Sequence, residues 1–253
     1  MGKMIAIVNQ KGGVAKTTTA INLCAALGQR GQKILLIDLD PQGNATSGLG
    51  VDRRNVKHCV YDVLINGAPP EATVLPTDFA NLSLLPATIQ LAGAEVELVN
   101  AISRENRLRR AIRPLSPYYD FIFIDCPPSL GLLTINALSC ADAVIVPLQC
   151  EFYALEGLTQ LLNTYQLVRG SLNSRLTLEG VLLTMYDTRT NLASQVAAEA
   201  RQYFGDKVYR TVISRNVRLS EAPSHGVPGV YYDTRSRGAQ EYQQLAEEFL
   251  SRQ

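Results

Sequence analysis

Short apolar runs recur along the chain, separated by longer segments in which apolar residues return every three or four positions. Several of the short runs are apolar at every position, without the alternation of a strand that has one solvent-facing side. Such runs are typical of strands that are covered on both faces of a sheet. The pattern predicts strands at Met4–Val8, Lys33–Ile37, Leu82–Leu85, Phe121–Ile124, Ala143–Val146, Leu178–Leu183 and Val208–Ile213.

The longer segments have the spacing of amphipathic helices. The first, Lys16–Arg30, carries apolar side chains at three-to-four spacing, and Gly31 follows it as a stop signal. Further helices are predicted over Ala154–Arg169, Asn191–Phe204 and Gly238–Leu250. Strands that alternate with helices form a parallel sheet wrapped by those helices. We therefore predict an α/β fold, with a single domain over residues 1–253 and a mostly parallel, twisted β-sheet that has helices on both faces.

Composition favours a soluble, cytoplasmic protein with one large core. Hydrophobic residues make up 46% of the 253 positions, which is ample for such a core. The five cysteines form no CxxC pair, as expected of reduced thiols in a reducing compartment. No run approaches the roughly 18 apolar residues of a membrane span, and the N-terminal run is too short for a signal peptide. The formal net charge is +1, so any surface that binds a polyanion must be a local patch.

The first predicted strand leads into the first predicted helix through KGGVAKTT, which has the chemistry of a phosphate-binding loop. Gly12 and Gly13 allow the backbone to curl around an anion and to point N–H groups inward. The helix that opens at Lys16 directs its free N–H groups and its positive dipole end at the same place. Lys16 supplies a charge for the β- and γ-phosphates, Thr17 a hydroxyl for Mg²⁺, and Thr18 a bond to the α-phosphate.

The loop departs from the strict P-loop pattern GxxxxGK[ST]. Gln10 and Ala15 stand at the two glycine positions of that pattern. By itself the segment also fits a glycine-rich turn that is followed by a helix. Two acidic elements further along the chain, each at the end of a predicted strand, favour the phosphate-binding interpretation.

The first acidic element is the sequence DLDPQGN, in which alternation places Asp38 and Asp40 on one side of an extended chain. In the second element Asp125 closes the apolar run Phe121–Ile124, which is the Walker B arrangement of a carboxylate that holds Mg²⁺. A capped turn would also explain the first element, and an N-capping aspartate the second. A phosphate loop, a DxD pair and a Walker B strand in this order predict a P-loop NTPase fold.

KGGVAKTT resembles the deviant Walker A box, KGGxGKTT, of the ParA/MinD superclass of P-loop ATPases, which has an additional lysine near its start. The resemblance implies that Lys11 is this lysine and that it reaches the ATP of the partner subunit in a nucleotide-sandwich homodimer. It implies that Lys11, Lys16 and Asp40 are catalytic, with Asp40 orienting or activating the attacking water. The implied nucleotide contacts of the box are Lys11, Gly12, Gly13, Val14, Ala15, Lys16, Thr17 and Thr18. The implied Mg²⁺ contacts are Thr17, Asp38 and Asp125.

The resemblance covers nearly the whole chain and is greatest to the chromosome-partitioning ParA (Soj) family. It rests on the stretches ATSGLG, LPATIQLAGAEVELV, DCPPSLGLLTINAL, ALEGL, EGVLLTM and NVRLSEAPSHG. By the same likeness Met185, Ser214 and Asn216 border the adenine, and packing at strand ends is the alternative account of these residues. Two residues differ from the usual family sequence, since Ala15 replaces a glycine and Ser214 stands where the family often has proline.

Basic residues are concentrated in two parts of the chain. Residues 189–237 hold eight lysines and arginines against four acids, and residues 104–113 hold five arginines against one glutamate. Solvated helix faces often have this composition, but the resemblance implies non-specific DNA binding by the ATP-bound dimer through phosphate contacts. We expect Arg189 and Arg218 to contact DNA. The resemblance also implies slow ATP hydrolysis that a ParB-type partner accelerates, and a cytoplasmic, nucleoid-associated location.

Four alternatives remain open from the sequence. A MinD-like positioning ATPase would end in a basic amphipathic helix that binds a membrane, whereas Glu241–Gln253 has three glutamates and one arginine and is typical of a docked core helix. An iron-protein-like reductase would need Cys126 and Cys150 to share a cluster. A small-molecule kinase or ATP-dependent synthetase would need a substrate pocket with its own acid and base. The fourth alternative is a scaffold without ATP turnover.

Overall fold

The core strands lie close to the positions that their apolar sequences predict. The computed structural model of the chain describes residues 2–151 and 154–253. Within these residues one sheet has seven strands. They are β1 (Lys3–Ile7), β2 (Ile34–Asp38), β3 (Leu75–Pro76), β4 (Leu82–Leu85), β5 (Phe121–Asp125), β6 (Ala143–Gln149) and β7 (Thr177–Thr184).

The strand order is β3-β4-β2-β5-β1-β6-β7, and every neighbouring pair except β3 and β4 is parallel. The edge strand β3 has only two residues and ends in a proline, so no strand pattern predicts it. Asp38 at the end of β2 is opposite Asp125 at the end of β5, and Ile7 of β1 is opposite Asp125 on the other side. The carboxyl ends of these three strands therefore meet at one edge, where open α/β sheets bind ligands.

Helices connect the strands, and the four predicted helices correspond to the first, seventh, eighth and last of those below. The others are too short to show a clear helical period in the sequence. The α-helices in the described residues are α1 (Lys16–Gln29), α2 (Asn44–Gly48), α3 (Pro70–Thr73), α4 (Leu91–Glu97), α5 (Arg107–Ile112), α6 (Leu132–Cys140), α7 (Ala154–Ser171), α8 (Asn191–Phe204), α9 (Val217–Glu221), α10 (Gly229–Tyr232) and α11 (Arg237–Ser251).

The two faces of the sheet carry separate apolar cores. Ile5 and Ile7 of β1 belong to the core that α1 and α11 cover, whereas Ala6 between them belongs to the core of α4 to α8. In the first core, Phe249 of α11 packs on Phe123 of β5 with ring centroids 5.7 Å apart. The predicted fold, a mostly parallel sheet with helices on both faces, is confirmed.

One predicted strand, Val208–Ile213, is wrong. The segment runs beside β7, where Val208 makes an isolated bridge to Val181, but it forms no continuous ladder. The N–H groups of Arg210 and Thr211 instead donate to the carboxylate of Glu248 on α11, at 2.8 and 2.9 Å. An apolar pattern cannot reveal that a distant side chain has taken the hydrogen bonds of a strand.

The C-terminal helix α11 is docked on the sheet, as the sequence predicts. Tyr242, Leu245 and Phe249 are fully buried, and the hydroxyl of Tyr242 lies 3.1 Å from that of Thr19 on α1. The apolar face of α11 is therefore used within the core. In the part of the chain that the structure describes, no helix has the length and apolar character needed to cross a membrane.

Helix α1 approaches the loop before β4 closely at Gly28. A Cβ at this position would lie 2.1 Å from the carbonyl oxygen of Ala80, which belongs to the backbone and cannot rotate away. We expect Gly28→Ala to lower the free energy of unfolding by about 1–3 kcal/mol, measured by denaturant titration.

Gly170→Ala is the matched control for this substitution. Gly170 also lies in a helix, α7, but a Cβ there would meet no heavy atom within 4 Å. The control should leave stability unchanged or raise it, because alanine is the better helix former. Equal losses in the two variants would contradict the close approach at Gly28.

Candidate nucleotide and magnesium site

The loop between β1 and α1 has the backbone curvature that phosphate binding requires. Gly13 and Ala15 have left-handed backbone conformations, with φ angles of 74° and 66°. A Cβ on Gly12 or Gly13 would meet no heavy atom within 4 Å, so the protein leaves space beside both glycines. No side chain of the described residues caps α1, and its first N–H groups are available to an anion.

Ala15 shows why the P-loop pattern has glycine at this position. A left-handed conformation costs a residue with a Cβ about 1–2 kcal/mol, a cost that glycine avoids. The loop adopts this conformation with alanine in place of glycine, and the N–H of Thr19 donates to the carbonyl oxygen of Ala15 at 2.9 Å as α1 begins. Alanine is therefore compatible with the loop, at a cost in stability.

Lys16 is buried between the loop and the acidic ends of the strands. Only 6% of the residue is exposed, and its ammonium donates to the carbonyl oxygen of Lys11 at 2.9 Å. Burial lowers the pKa of Lys16, while the negative charges of Asp125 and Asp40 oppose that shift. Phosphate oxygens would be stronger acceptors for this ammonium than a single carbonyl oxygen.

Asp125 is a buried carboxylate without a hydrogen-bonding partner. It is fully buried, and neither oxygen makes a hydrogen bond of normal geometry to any described residue. Burial raises the pKa of Asp125 well above its ordinary value, and the neighbouring charge of Asp38 raises it further, whereas the Thr17 hydroxyl beside it acts in the opposite direction. A carboxylate in this position is costly unless a cation compensates it. Asp125 and the hydroxyl of Thr17 therefore fit a Mg²⁺ ion.

Asp38 lies opposite Asp125, but its oxygens are already occupied. Oδ2 accepts hydrogen bonds from the N–H and the hydroxyl of Thr46, both at 2.7 Å, and Oδ1 accepts one from the N–H of Asp40 at 3.2 Å. Burial raises the pKa of Asp38 to about 6, against the effect of these hydrogen bonds. Asp38 thus anchors α2 and the turn that carries Asp40, and its contact with Mg²⁺ or a metal-bound water stays a prediction.

Asp40 lies on the turn between β2 and α2. The residue is 7% exposed, and its Oδ1 accepts a hydrogen bond from the N–H of Gln42 at 2.9 Å. Thr46 holds the turn in place through Asp38, to which both Thr46 and the N–H of Asp40 are bonded. The hydroxyl of Thr46 also accepts the N–H of Ala87 at 2.9 Å. Sequence reasoning misses Thr46, because an isolated threonine near the start of a helix carries no signal for a contact with a strand-end acid.

A pocket of about 140 Å³ lies beside the loop. The predicted base contacts Met185, Ser214 and Asn216 line it together with Ala15 and Thr18 of the loop. Met185 has a φ angle of 49°, a left-handed conformation that is uncommon for a residue with a side chain. The fold therefore brings the predicted base contacts to the phosphate loop, although more than 150 residues separate them in the sequence. Sequence reasoning misses three further lining residues, Leu219, Ser220 and Tyr242.

The charged end of Lys11 is directed at an acid other than those of the metal site. Its ammonium lies 3.0 Å from the carboxylate of Glu151, and the two side chains are 36% and 52% exposed. Of the three predicted catalytic residues, Lys16 and Asp40 are thus electrostatic neighbours of Asp125 or of each other, while the ammonium of Lys11 is paired elsewhere.

The two predicted DNA contacts are exposed arginines that pair with nearby acids. A guanidinium nitrogen of Arg189 lies 2.7 Å from Asp187, and one of Arg218 lies 2.9 Å from Glu221. The hydrogen bonds from Arg189 hold the pKa of Asp187 well below its usual range. Exposed pairs of this kind contribute little to stability, so both arginines can turn to another anion.

Comparison with known proteins places this site in a family. Residues 2–178 match the AAA domain family. The chain is 62% identical to the sporulation initiation inhibitor protein Soj of Bacillus subtilis (strain 168), over 98% of each chain. It is 54% identical to the chromosome partitioning protein ParA of Myxococcus xanthus (strain DK1622), over 100% of this chain and 89% of that protein.

The fold is also similar to a solved structure of a Mycobacterium smegmatis protein named cobyrinic acid a,c-diamide synthase, with a bound ATP analogue and magnesium. The TM-score is 0.87 at 40% identity, and the match covers 99% of this chain and 95% of that one. The matches to Soj and ParA combine higher identity with nearly full coverage of both chains. The chain therefore belongs to the ParA/Soj family of chromosome-partitioning ATPases.

Proposed function

We propose that this chain is a Mg-ATP-dependent switch in the partitioning of chromosomes or plasmids. Two ATP-bound subunits form a nucleotide-sandwich homodimer, and the dimer binds DNA without sequence preference. A ParB-type partner accelerates a slow hydrolysis reaction, after which the subunits separate. The observation that carries the proposal is the buried, unbonded carboxylate of Asp125 near the uncapped N terminus of α1.

The residues of the site have separable tasks in this cycle. Lys16 exchanges the carbonyl oxygen of Lys11 for the β- and γ-phosphate oxygens, and the N–H groups of the loop and of α1 bind the remaining phosphate charge. Thr17 and Asp125 would hold a Mg²⁺ ion, which would supply charge neutralisation at the phosphates. Asp40, on its anchored turn, orients the water that attacks the γ-phosphate.

Lys11 supports the proposed dimer because its ammonium can leave its present partner at little cost. The pair with Glu151 is about half exposed, and ion pairs that solvent reaches contribute at most about 1 kcal/mol. A triphosphate in the partner subunit would offer several negative oxygens in place of one carboxylate. Lys11 therefore serves the dimer, while Lys16 serves the nucleotide of its own subunit.

DNA binding follows from the same switch. Pairing two subunits doubles the number of arginines on one assembly, which multiplies a weak affinity for phosphates. Arg189 and Arg218 contribute to this surface. The exposed Arg109, Arg110 and Arg113 are a second candidate set, and none of the ion pairs among the described residues involves them.

A synthase is the second candidate function, because the Mycobacterium smegmatis protein with that name is 40% identical. Such a reaction needs acid and base groups for a second substrate. His58 and His225 are the two histidines, both are exposed, and the ring of His225 stacks on Tyr232 at 5.0 Å. Neither histidine lines the pocket beside the loop. Phosphate release from ATP with DNA alone, without an added acid or amide donor, would distinguish the ATPase from the synthase.

Asp125→Asn tests the proposed Mg²⁺ site. Because the carboxylate is buried without a partner, the neutral isostere should leave the metal-free protein as stable as the wild type, or more stable by up to about 2 kcal/mol. The same variant should lose the rise in Tm that Mg-ATP gives the wild type. Thermal unfolding in EDTA and in Mg-ATP measures both effects.

Asp120→Asn is the matched control for this test. Asp120 stands at the opposite end of β5, where its carboxylate accepts the N–H of Lys33 at 2.8 Å. It should keep the Tm response of the wild type to Mg-ATP. Equal losses of Tm by Asp125→Asn in EDTA and in Mg-ATP would indicate a purely structural carboxylate.

Asp40→Ala should stop hydrolysis but keep nucleotide binding and dimerisation. Without the carboxylate the attacking water is no longer oriented, and we expect kcat to fall by about 100-fold or more. Phosphate release and size-exclusion chromatography with ATP measure the two properties. Lys16→Ala should lose both hydrolysis and ATP-dependent dimerisation, because it removes the main phosphate ligand. A hydrolysis-competent Asp40→Ala protein would rule out the proposed role.

Arg189→Ala tests the DNA surface by mobility shift with ATP, with ADP and without nucleotide. Wild-type binding should require ATP and weaken with salt, and the variant should reduce the slope of log affinity against log salt by about 1 per lost phosphate contact. Arg54→Ala is the matched control, since Arg54 pairs with the aspartate two positions earlier, as Arg189 does. DNA affinity that is independent of ATP or of salt would contradict the proposal.

A further inference from the structure

Two glutamates of α11 bind residues 210–214, which lie between α8 and α9. The carboxylate of Glu248 accepts the N–H groups of Arg210 and Thr211 and also the hydroxyl of Thr211, at 2.8 Å. Glu241, two turns earlier on the same helix, binds Ser214 in the same way. Its Oε2 accepts the N–H of Ser214 at 2.7 Å, and its Oε1 accepts the hydroxyl at 2.6 Å.

Glu241 is built into the protein more deeply than a surface glutamate. The residue is 7% exposed, and Nε of Arg237 donates to its Oε1 at 2.8 Å. With two hydrogen bonds to Ser214 and one to Arg237, the carboxylate has the partners that a buried charge needs. Its position fixes the position of Ser214, because both the backbone and the side chain of Ser214 are bound to it.

Ser214 and Asn216 form one wall of the pocket beside the phosphate loop. The wall is joined to the end of β7, since the N–H of Tyr186 donates to the carbonyl oxygen of Ile213 at 3.0 Å. Helix α11 also approaches this wall closely, because a Cβ on Gly238 would lie 3.2 Å from Cβ of Asn216. The wall therefore has little freedom to move as long as α11 holds it.

The residue after Glu241 connects the same helix to the opposite side of the pocket. Tyr242 lines the pocket, and its hydroxyl lies 3.1 Å from that of Thr19, two residues beyond Thr17 on α1. Consecutive residues of α11 thus fix the two sides of the pocket, the wall at Ser214 and the helix that carries the phosphate ligands. The distance between the wall and the phosphate loop depends on this pair.

We propose that Glu241 is a positioning residue for the pocket beside the phosphate loop. It fixes the wall of that pocket and so makes the protein select adenine nucleotides over guanine nucleotides. The inference rests on the proposed nucleotide site and adds a residue that touches neither phosphate nor metal. Glu241 acts through Ser214 and Asn216. The N–H and hydroxyl of Ser214 donate to Glu241, and the amide oxygen of Asn216 accepts the N–H of Arg218, which leaves the carbonyl oxygen of Ser214 and the side-chain NH2 of Asn216 to read the edge of the base. Loss of the hydrogen bonds between Glu241 and Ser214 affects recognition of the base and leaves the phosphate contacts intact.

Glu241→Gln tests this role by titration of the Mg²⁺-loaded protein with ATP, GTP and inorganic tripolyphosphate. Glutamine accepts at one oxygen only, so Ser214 loses one of its two hydrogen bonds. We expect ATP affinity to fall by about 10-fold, the preference for ATP over GTP to fall by a similar factor, and tripolyphosphate affinity to stay at the wild-type value. The change in base preference is a readout that a merely structural residue would not alter.

Glu248→Gln is the matched control, because Glu248 makes the same kind of contact from the same helix to residues outside the pocket. It should lower Tm about as much as Glu241→Gln does and keep the wild-type preference for ATP. Equal loss of base preference in the two variants would overturn the specific role of Glu241, as would an unchanged preference in Glu241→Gln.

Ser214→Ala gives a second, milder test if Glu241→Gln proves poorly folded. It removes the hydroxyl donor to Glu241 and keeps the backbone N–H. We expect a smaller loss of base preference in the same direction, and no further loss when the two substitutions are combined. A wild type that binds neither ATP nor tripolyphosphate would refute the proposed function itself, whereas tripolyphosphate binding without a preference for ATP over GTP would refute only the role of Glu241.

Discussion

The arrangement of the site depends on negative charge that the parallel sheet concentrates at the carboxyl ends of β2 and β5. Asp38 and Asp125 are opposite one another and fully buried. The chain satisfies the first with the N–H and hydroxyl of Thr46 and leaves the second without a hydrogen bond. Lys16 compensates part of this charge. A carboxylate held in this way is stable chiefly when a cation binds it, which couples the fold to its ligand.

Backbone conformation imposes a second constraint around the same space. Ala15 and Met185 both have positive φ angles, and both line the pocket beside the phosphate loop. Residues with a Cβ adopt this conformation only where the surrounding structure fixes it. Here α1 begins directly after Ala15, and Met185 follows the last residue of β7. The walls of the pocket are therefore set by the ends of regular elements.

The C-terminal helix connects these constraints. Its apolar side completes the core on one face of the sheet, and its acidic side binds the segment after β7 through Glu241 and Glu248. The same glutamates explain two results that a sequence pattern treats separately. Glu248 takes the N–H groups of Arg210 and Thr211, while those of Tyr209 and Ile213 donate to β7. Both glutamates belong to a helix that is docked on the protein itself.

The sequence alone determined where most core strands and the main helices lie along the chain, and it located the phosphate loop and the acids at the strand ends. Each of these features depends on residues close together in the chain. Local periodicity and loop chemistry carry that information. Tertiary structure decided which acid is left unbonded. Asp38 and Asp125 both end apolar strands, but only Asp38 accepts hydrogen bonds, from Thr46 and from the N–H of Asp40. It likewise decided that Val208–Ile213 is not a strand and that Ser214 is fixed by Glu241. These outcomes depend on hydrogen bonds between residues up to 38 positions apart, and no local pattern records such partners.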